Sequence, residues 1–260
     1  MASYTTAWIV GSVRGLDSTV TIAGSAQDIA GDLYLYHPTS ALSLLGAWVT
    51  AATAAGLGAP TAVLTRDRRV KLGNGANFTV AWGTDPTLRD LLGFTGNLSG
   101  ASSYTAPNVS PLLWSPAKPL RFELSPHFDT AGIRRPLAYF TSSPADGSTF
   151  VVSHGSRIDQ RFTCGYVARD RVYPADEAGG SWIAFFDKCA AKGASWWVYP
   201  EVTEEAGSTT TATLSGGLGP YALAPSGRAP AWSYSRSRGL EHCDRRADLD
   251  FSARVVPEYT

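Results

Sequence analysis

Apolar residues along this chain recur mainly in short runs at alternating positions, the pattern of half-buried β-strands. In the first half, runs at 7–10, 20–22 and 33–36 are interrupted by glycines, and the segment 77–82 places its apolar residues on one face. The second half has similar runs at 120–124, 137–140, 150–152, 161–167, 195–199, 209–214, 232–234 and 249–255. The periodicity therefore predicts a mainly β chain.

Two longer segments show the spacing of three and four residues that amphipathic helices have. The first follows Ser40, which can serve as its N-cap, and buries Leu45 and Trp48 before Gly56 ends it. The second is an apolar stripe over 182–190 that precedes an aromatic strand. With these few short helices the fold class is mainly β, or α+β.

The organisation of the chain follows from its turn and loop signals. Asn74-Gly75 is typical of a hairpin turn, so a helix packed on an antiparallel meander is expected in the first half. Residues 99–119 are rich in Ser, Ala, Asn and Pro, which predicts an extended arm or linker. We expect a domain boundary near residue 118, with an N-terminal β-rich domain over 1–118 and a C-terminal β-sandwich-like domain over 119–260.

Composition excludes some partners. Lys and Arg number 22, as do Asp and Glu, so no net field draws the chain to nucleic acid or to an anionic membrane. No run approaches 18 consecutive apolar residues, and no basic leader precedes an apolar stretch, so neither membrane insertion nor secretion is expected. The 3 cysteines are widely spaced, which is typical of free thiols in a reducing compartment such as a cytoplasm.

Candidate chemistry is sparse. The stretch 152–156, which contains Ser153, His154 and Ser156, lies near Asp159, but no Gly-x-Ser-x-Gly turn presents a nucleophilic serine, and a polar hairpin loop explains these residues. The 4 histidines have no metal-motif spacing, and the glycine-rich stretches lack the Lys-Ser or Lys-Thr of a phosphate loop. The sequence predicts no enzyme, no metal site and no cofactor.

One apolar helical turn stands out against this background. Leu88, Leu91 and Leu92 are followed by Gly93 and Phe94. We interpret this turn as a docking element.

A tryptophan, a short spacer, Leu-Leu-Gly-Phe and then a Ser/Thr/Ala/Pro-rich stretch occur together over 82–107. This pattern resembles structural proteins of bacteriophage virions, particularly tail and tail-tip components of the distal-tail or baseplate kind. The resemblance covers mainly residues 30–115. The second half is similar to the β-sandwich or tail-tube-like domains of such proteins.

The resemblance implies a non-enzymatic viral structural protein that forms a symmetric homo-oligomeric ring, contacts other virion tail proteins and is assembled in the host cytoplasm. An apolar Leu-Leu-Trp within the arm needs burial, against its own domain or against a neighbouring subunit. In the aromatic strand 195–199, alternation leaves one set of side chains facing away from the core. The candidate interface residues are Leu91, Leu92, Phe94, Leu112, Leu113, Trp114, Trp197 and Tyr199.

Two alternatives remain open. The exposed aromatic side chains of the second half could stack on sugar rings, so the chain would be a carbohydrate-binding module that recognises a host-surface glycan. A capsid decoration protein is the other alternative, because fold analogy does not fix a position in the virion.

Overall fold

A computed structural model describes residues 8–114, 137–142, 150–156, 159–168, 193–199, 201–204, 211–223, 231–235 and 246–256. The first half contains β1 (Trp8–Ile22), β2 (Ser25–Tyr34), a 3-10 turn (Ser40–Leu42), α1 (Leu44–Ala54), β3 (Thr61–Thr65), β4 (Arg69–Ala81), α2 (Thr87–Leu91), β5 (Leu98–Val109) and β6 (Leu113–Trp114). The later strands are β7 (Leu137–Ser142), β8 (Phe150–Ser156), β9 (Asp159–Ala168), β10 (Trp196–Tyr199), β11 (Glu201–Glu204), β12 (Thr211–Ser215), β13 (Leu218–Leu223), β14 (Ala231–Ser235) and β15 (Arg246–Val255). The prediction of a mainly β chain with few helices is confirmed.

Antiparallel pairing joins most of these strands into one sheet. Its central path runs β11-β12-β3-β4-β1-β10-β13-β15-β14, while β2 and β6 pair with β1, β5 pairs with β4, and β9 pairs with β15. Strands β7 and β8 form a separate pair. Strands on both sides of residue 118 thus meet directly, since β1 pairs with β10 and β3 pairs with β12. The domain boundary at that residue stays a prediction.

Helix α1 buries the face that its sequence predicts, with Leu45 and Trp48 inside. Its N-cap is Ser43 and not Ser40, because residues 40–42 form a separate 3-10 turn and the Ser43 side chain accepts a hydrogen bond from the N–H of Gly46. The Trp48 ring lies 6.1 Å from the Phe78 ring of β4, measured between centroids. The helix therefore packs against one face of the sheet.

Two predictions about strands were wrong. Asn74-Gly75 does not form a hairpin turn; it lies inside β4, where the pairing with β5 shifts register between Gly73 and Phe78. The expected extended arm is largely strand β5, which pairs with β4 from Val109 to Leu98. Ser and Thr side chains can face solvent on an edge strand, where proline is also tolerated. An edge strand can therefore have the same composition as an extended arm, and composition does not distinguish the two.

The short helix α2 forms where the leucine spacing predicts it. Gly93 ends it with φ +82, a left-handed conformation that glycine adopts without strain. Before the helix, the Asp85 carboxylate accepts hydrogen bonds from the Thr87 hydroxyl at 2.6 Å and the Thr87 N–H at 2.9 Å. Together with the more distant Ser18 hydroxyl, these donors lower the pKa of Asp85 below its usual value.

In the described part of the chain, neither helix is long and apolar enough to cross a membrane. The predicted strand 120–124 and the predicted helix over 182–190 lie outside the described residues.

Candidate functional site

The leucine turn that the sequence marks as a docking element lies in the core of the chain itself. Leu92 is 0% exposed, and Leu91 and Phe94 are also buried. The Phe94 ring stacks on the Trp82 ring with centroids 5.4 Å apart. The Ser110 hydroxyl donates to the carbonyl of Leu91 at 2.6 Å, which holds the turn against the end of β5. Packing within the chain therefore accounts for these apolar residues, and a contact with a neighbouring chain stays a prediction.

The Leu112-Leu113-Trp114 segment joins β1 by strand pairing. Leu113 lies opposite Val10 and Trp114 opposite Ile9, and the N–H of Gly11 donates to the carbonyl of Leu112 at 2.7 Å. Leu112 and Leu113 are both fully buried. The sequence left two ways to bury this segment, against its own domain or against a neighbouring subunit. The structure buries both leucines within the sheet of the same chain. For Trp114 the structure places the backbone in β6, and its role at an interface remains a prediction.

Trp197 and Tyr199 of β10 contribute to an aromatic cluster, which we define as Tyr34, Tyr36, His37, Trp197 and Tyr199. The Trp197 ring contacts both His37 and Tyr34, with centroids 5.5 Å and 6.3 Å away. Tyr199 meets Tyr36 edge to face at 5.6 Å. Tyr199 is buried and Trp197 is partly buried. The expectation that both face away from the core does not hold for Tyr199, because the segment after β2 covers it.

The His37 ring of this cluster is held in place by the backbone of Thr39. The Thr39 N–H donates to Nδ1 of His37 at 3.0 Å, and the ring stacks on Tyr34. The indole N–H of Trp197 has no hydrogen-bond acceptor among the residues that the structure describes. The cluster thus presents one partly exposed indole ring next to a fixed imidazole.

Local sequence patterns do not predict the polar network that Tyr34 of the cluster forms with Ser12 and Ser195. The Ser12 hydroxyl donates to the carbonyl of Ser195 at 2.7 Å, and the hydroxyls of Tyr34 and Ser195 are 2.8 Å apart. All three residues are buried. The alternation in 33–36 places Tyr34 and Tyr36 on one face and could have indicated part of this group, whereas nothing local links Ser12 with Ser195.

Strand β5 has a different kind of candidate site, which is its edge. In the part of the chain that the structure describes, β5 pairs with β4 alone. Its exposed residues include Ser99, Ser102, Ser103 and Thr105, and no residue of the strand is charged. The unpaired N–H and C=O groups of such an edge can bind another strand.

The structure changes the interpretation of the Ser-His-Asp stretch. Ser153 and His154 lie within β8 and Asp159 begins β9, so these residues are not on a loop. Within the described ranges, no group of three His, Cys, Asp or Glu side chains could hold a metal ion.

Comparison with known proteins finds no protein-family model, no curated protein and no solved structure that matches this chain.

Proposed function

We propose that the chain is a structural protein of a bacteriophage virion that forms a symmetric oligomer in the tail or tail tip. The observation that supports self-association best is strand β5, 12 residues long, free of charge and paired on one side only among the described strands. Natural sheets usually protect such an edge with charged side chains or cover it. An oligomer covers it by adding a strand, as many peptide-binding sheets do. The resemblance of the Leu-Leu-Gly-Phe region to tail components supplies the virion context.

The finer architecture belongs to the same proposal. A boundary near residue 118 divides the chain into a helix-on-sheet unit and a β-sandwich-like, or tail-tube-like, unit. Because β1 of the first unit pairs with β10 of the second, the two units share a sheet. Contacts with other tail proteins would then add to the contacts between copies.

The test is the mass of the purified chain in solution, measured by light scattering across a concentration series. We expect a closed trimer, hexamer or larger ring, and a mass that falls on dilution. A chain that stays monomeric at every concentration contradicts self-assembly.

A host-surface glycan is a second candidate ligand, and Trp197 is the observation that favours it. Aromatic faces stack on sugar rings, and this indole is partly exposed beside His37. If the site binds glycan, Trp197→Ala should abolish binding on a glycan array and leave the mass unchanged. Trp48→Ala is the control for lost folding. Trp48 is fully buried in α1, so this variant should lose stability without changing the candidate glycan site, and comparison with it separates lost folding from lost binding. Loss of assembly in Trp197→Ala without any glycan binding by the wild type contradicts this candidate.

A further inference from the structure

Charge distinguishes β5 from three other edge strands of the sheet, whereas β14 and β6 are also uncharged and singly paired but have only 5 and 2 residues. Strands β2, β9 and β11 also have a single partner among the described strands, and each carries Asp or Glu. Like charges that face each other across two strands oppose their pairing. Strand β5 is the longest charge-free strand with one partner in the described part of the chain.

The regular part of the β5 edge is short and well defined. Gly100 has φ +84, which interrupts the extended backbone, and Pro107 has no N–H to donate. Between them, residues 103–105 keep an uninterrupted register with β4, where Ser103 lies opposite Gly73 and Thr105 opposite Lys71. The Ala101 N–H already donates to the Tyr104 hydroxyl at 2.8 Å, so the segment that can accept another strand is Ser102–Thr105, and Ser103 lies within it.

We propose that β5 pairs antiparallel with β5 of a second copy across a two-fold axis close to Ser103. An antiparallel strand is complementary to itself, because each N–H on one copy meets the equivalent C=O on the other. Exposed Ser and Thr side chains on both copies can form hydrogen bonds across the pair, and no charge opposes their approach. The inference rests on the proposed function, since it names the partner as this chain itself.

This contact places the same residue of the two copies close together. At a two-fold axis the same residue of both copies lies opposite itself, with Cα atoms about 4.5–5.5 Å apart, and a disulfide spans that distance. Ser103→Cys in the full-length chain should therefore form a disulfide-linked dimer under mild oxidation, and a reductant should cleave this disulfide. A head-to-tail contact would not bring two copies of one residue together.

Two controls accompany this variant. The wild type reports any cross-link through Cys164, Cys189 or Cys243. Thr213→Cys places a cysteine at an exposed position of β12, which has neighbours on both sides, and measures how often an exposed cysteine cross-links without an open strand edge. We expect no new dimer from either control. The double variant Ser102→Cys/Ser103→Cys covers an axis that falls between two residues.

A charge exchange tests the same axis without cross-linking. Ser103→Lys places two ammonium groups opposite each other and should weaken self-association by at least about tenfold. A mixture of Ser103→Lys with Ser103→Asp should restore association as a mixed dimer, which a variant that has merely lost its fold cannot do.

The outcomes separate the two proposals. If light scattering shows an oligomer but neither cysteine variant forms a dimer and the mixed chains do not associate, the two-fold β5 contact is wrong and the proposed oligomer remains. If the wild type is monomeric at every concentration, the proposed function itself fails.

Discussion

Ser12 and Ser195 hydrogen-bond each other reciprocally across 183 residues of sequence. The Ser12 hydroxyl donates to the carbonyl of Ser195 at 2.7 Å and accepts from its N–H at 3.1 Å. The backbone N–H of Ser12 donates to the same carbonyl at 3.0 Å. Both residues are buried, so this exchange satisfies backbone groups at the point where β10 enters the sheet beside β1. The Ser12 side chain thus adds to the backbone pairing of β1 with β10.

Ser12→Ala should destabilise the protein by about 1–3 kcal/mol, because it removes a buried acceptor and leaves the Ser195 N–H without it. The unfolding midpoint in urea measures the change. Ser99→Ala, at an exposed position of β5, is the matched control and should shift stability by no more than about 0.5 kcal/mol. Equal midpoints for both variants would show that the Ser12 hydroxyl does not hold β10 in place.

Local patterns of the sequence predicted the elements, and the pairing of distant segments decided the rest. Leucine spacing and Gly93 were sufficient to predict α2, because a helical turn and its glycine stop are local. Burial of Leu112 and Leu113 against β1 depends on a partner about a hundred positions away, which no local pattern contains. For the same reason, composition suggested an arm where β5 pairs with β4.

The same distinction explains the candidate site. Alternation predicted that Trp197 and Tyr199 share a face of β10, and both do meet aromatic partners on one side. The partners themselves, Tyr36 and His37, come from the other half of the chain, so the sequence could not show that they cover this face.

Phe94→Asp should unfold the chain or lower its stability by at least about 3 kcal/mol. The substitution removes a buried ring that stacks on Trp82 and places a carboxylate in an apolar site. Soluble yield and the urea midpoint measure the effect. Thr95→Asp, at the exposed neighbouring position, should keep the wild-type midpoint. If Phe94→Asp instead folds normally and only assembly is lost, Phe94 is an interface residue after all.

Gly93→Ala should destabilise the protein by about 2 kcal/mol or more for two independent reasons. The residue has φ +82, which disfavours any side chain, and an added Cβ would collide with the carbonyl oxygen of Asn108. Gly96→Ala is the matched control, since no atom lies within 4 Å of the Cβ that it adds. Thermal unfolding of the two variants compares them directly. A Gly93→Ala protein as stable as Gly96→Ala would mean that the turn after α2 can rearrange at little cost.

The hydrogen bonds to Asp85 predict a dependence of stability on acid pH. The Thr87 hydroxyl and N–H lower the pKa of this carboxyl in the folded state, below the value of about 3.9 in an unfolded chain. The folded state therefore binds the proton less readily, so the stabilisation is fully present above about pH 4 and is lost as pH falls through the folded pKa. Asp85→Asn lacks this ionisation, and the melting temperatures of wild type and variant should converge as pH falls from about 5 to 2. Thr87→Val removes the hydroxyl donor while the carboxylate stays, so its melting temperature should approach that of the wild type over the same range, by a smaller amount. Parallel curves for all three proteins would show that these hydrogen bonds do not stabilise the start of α2.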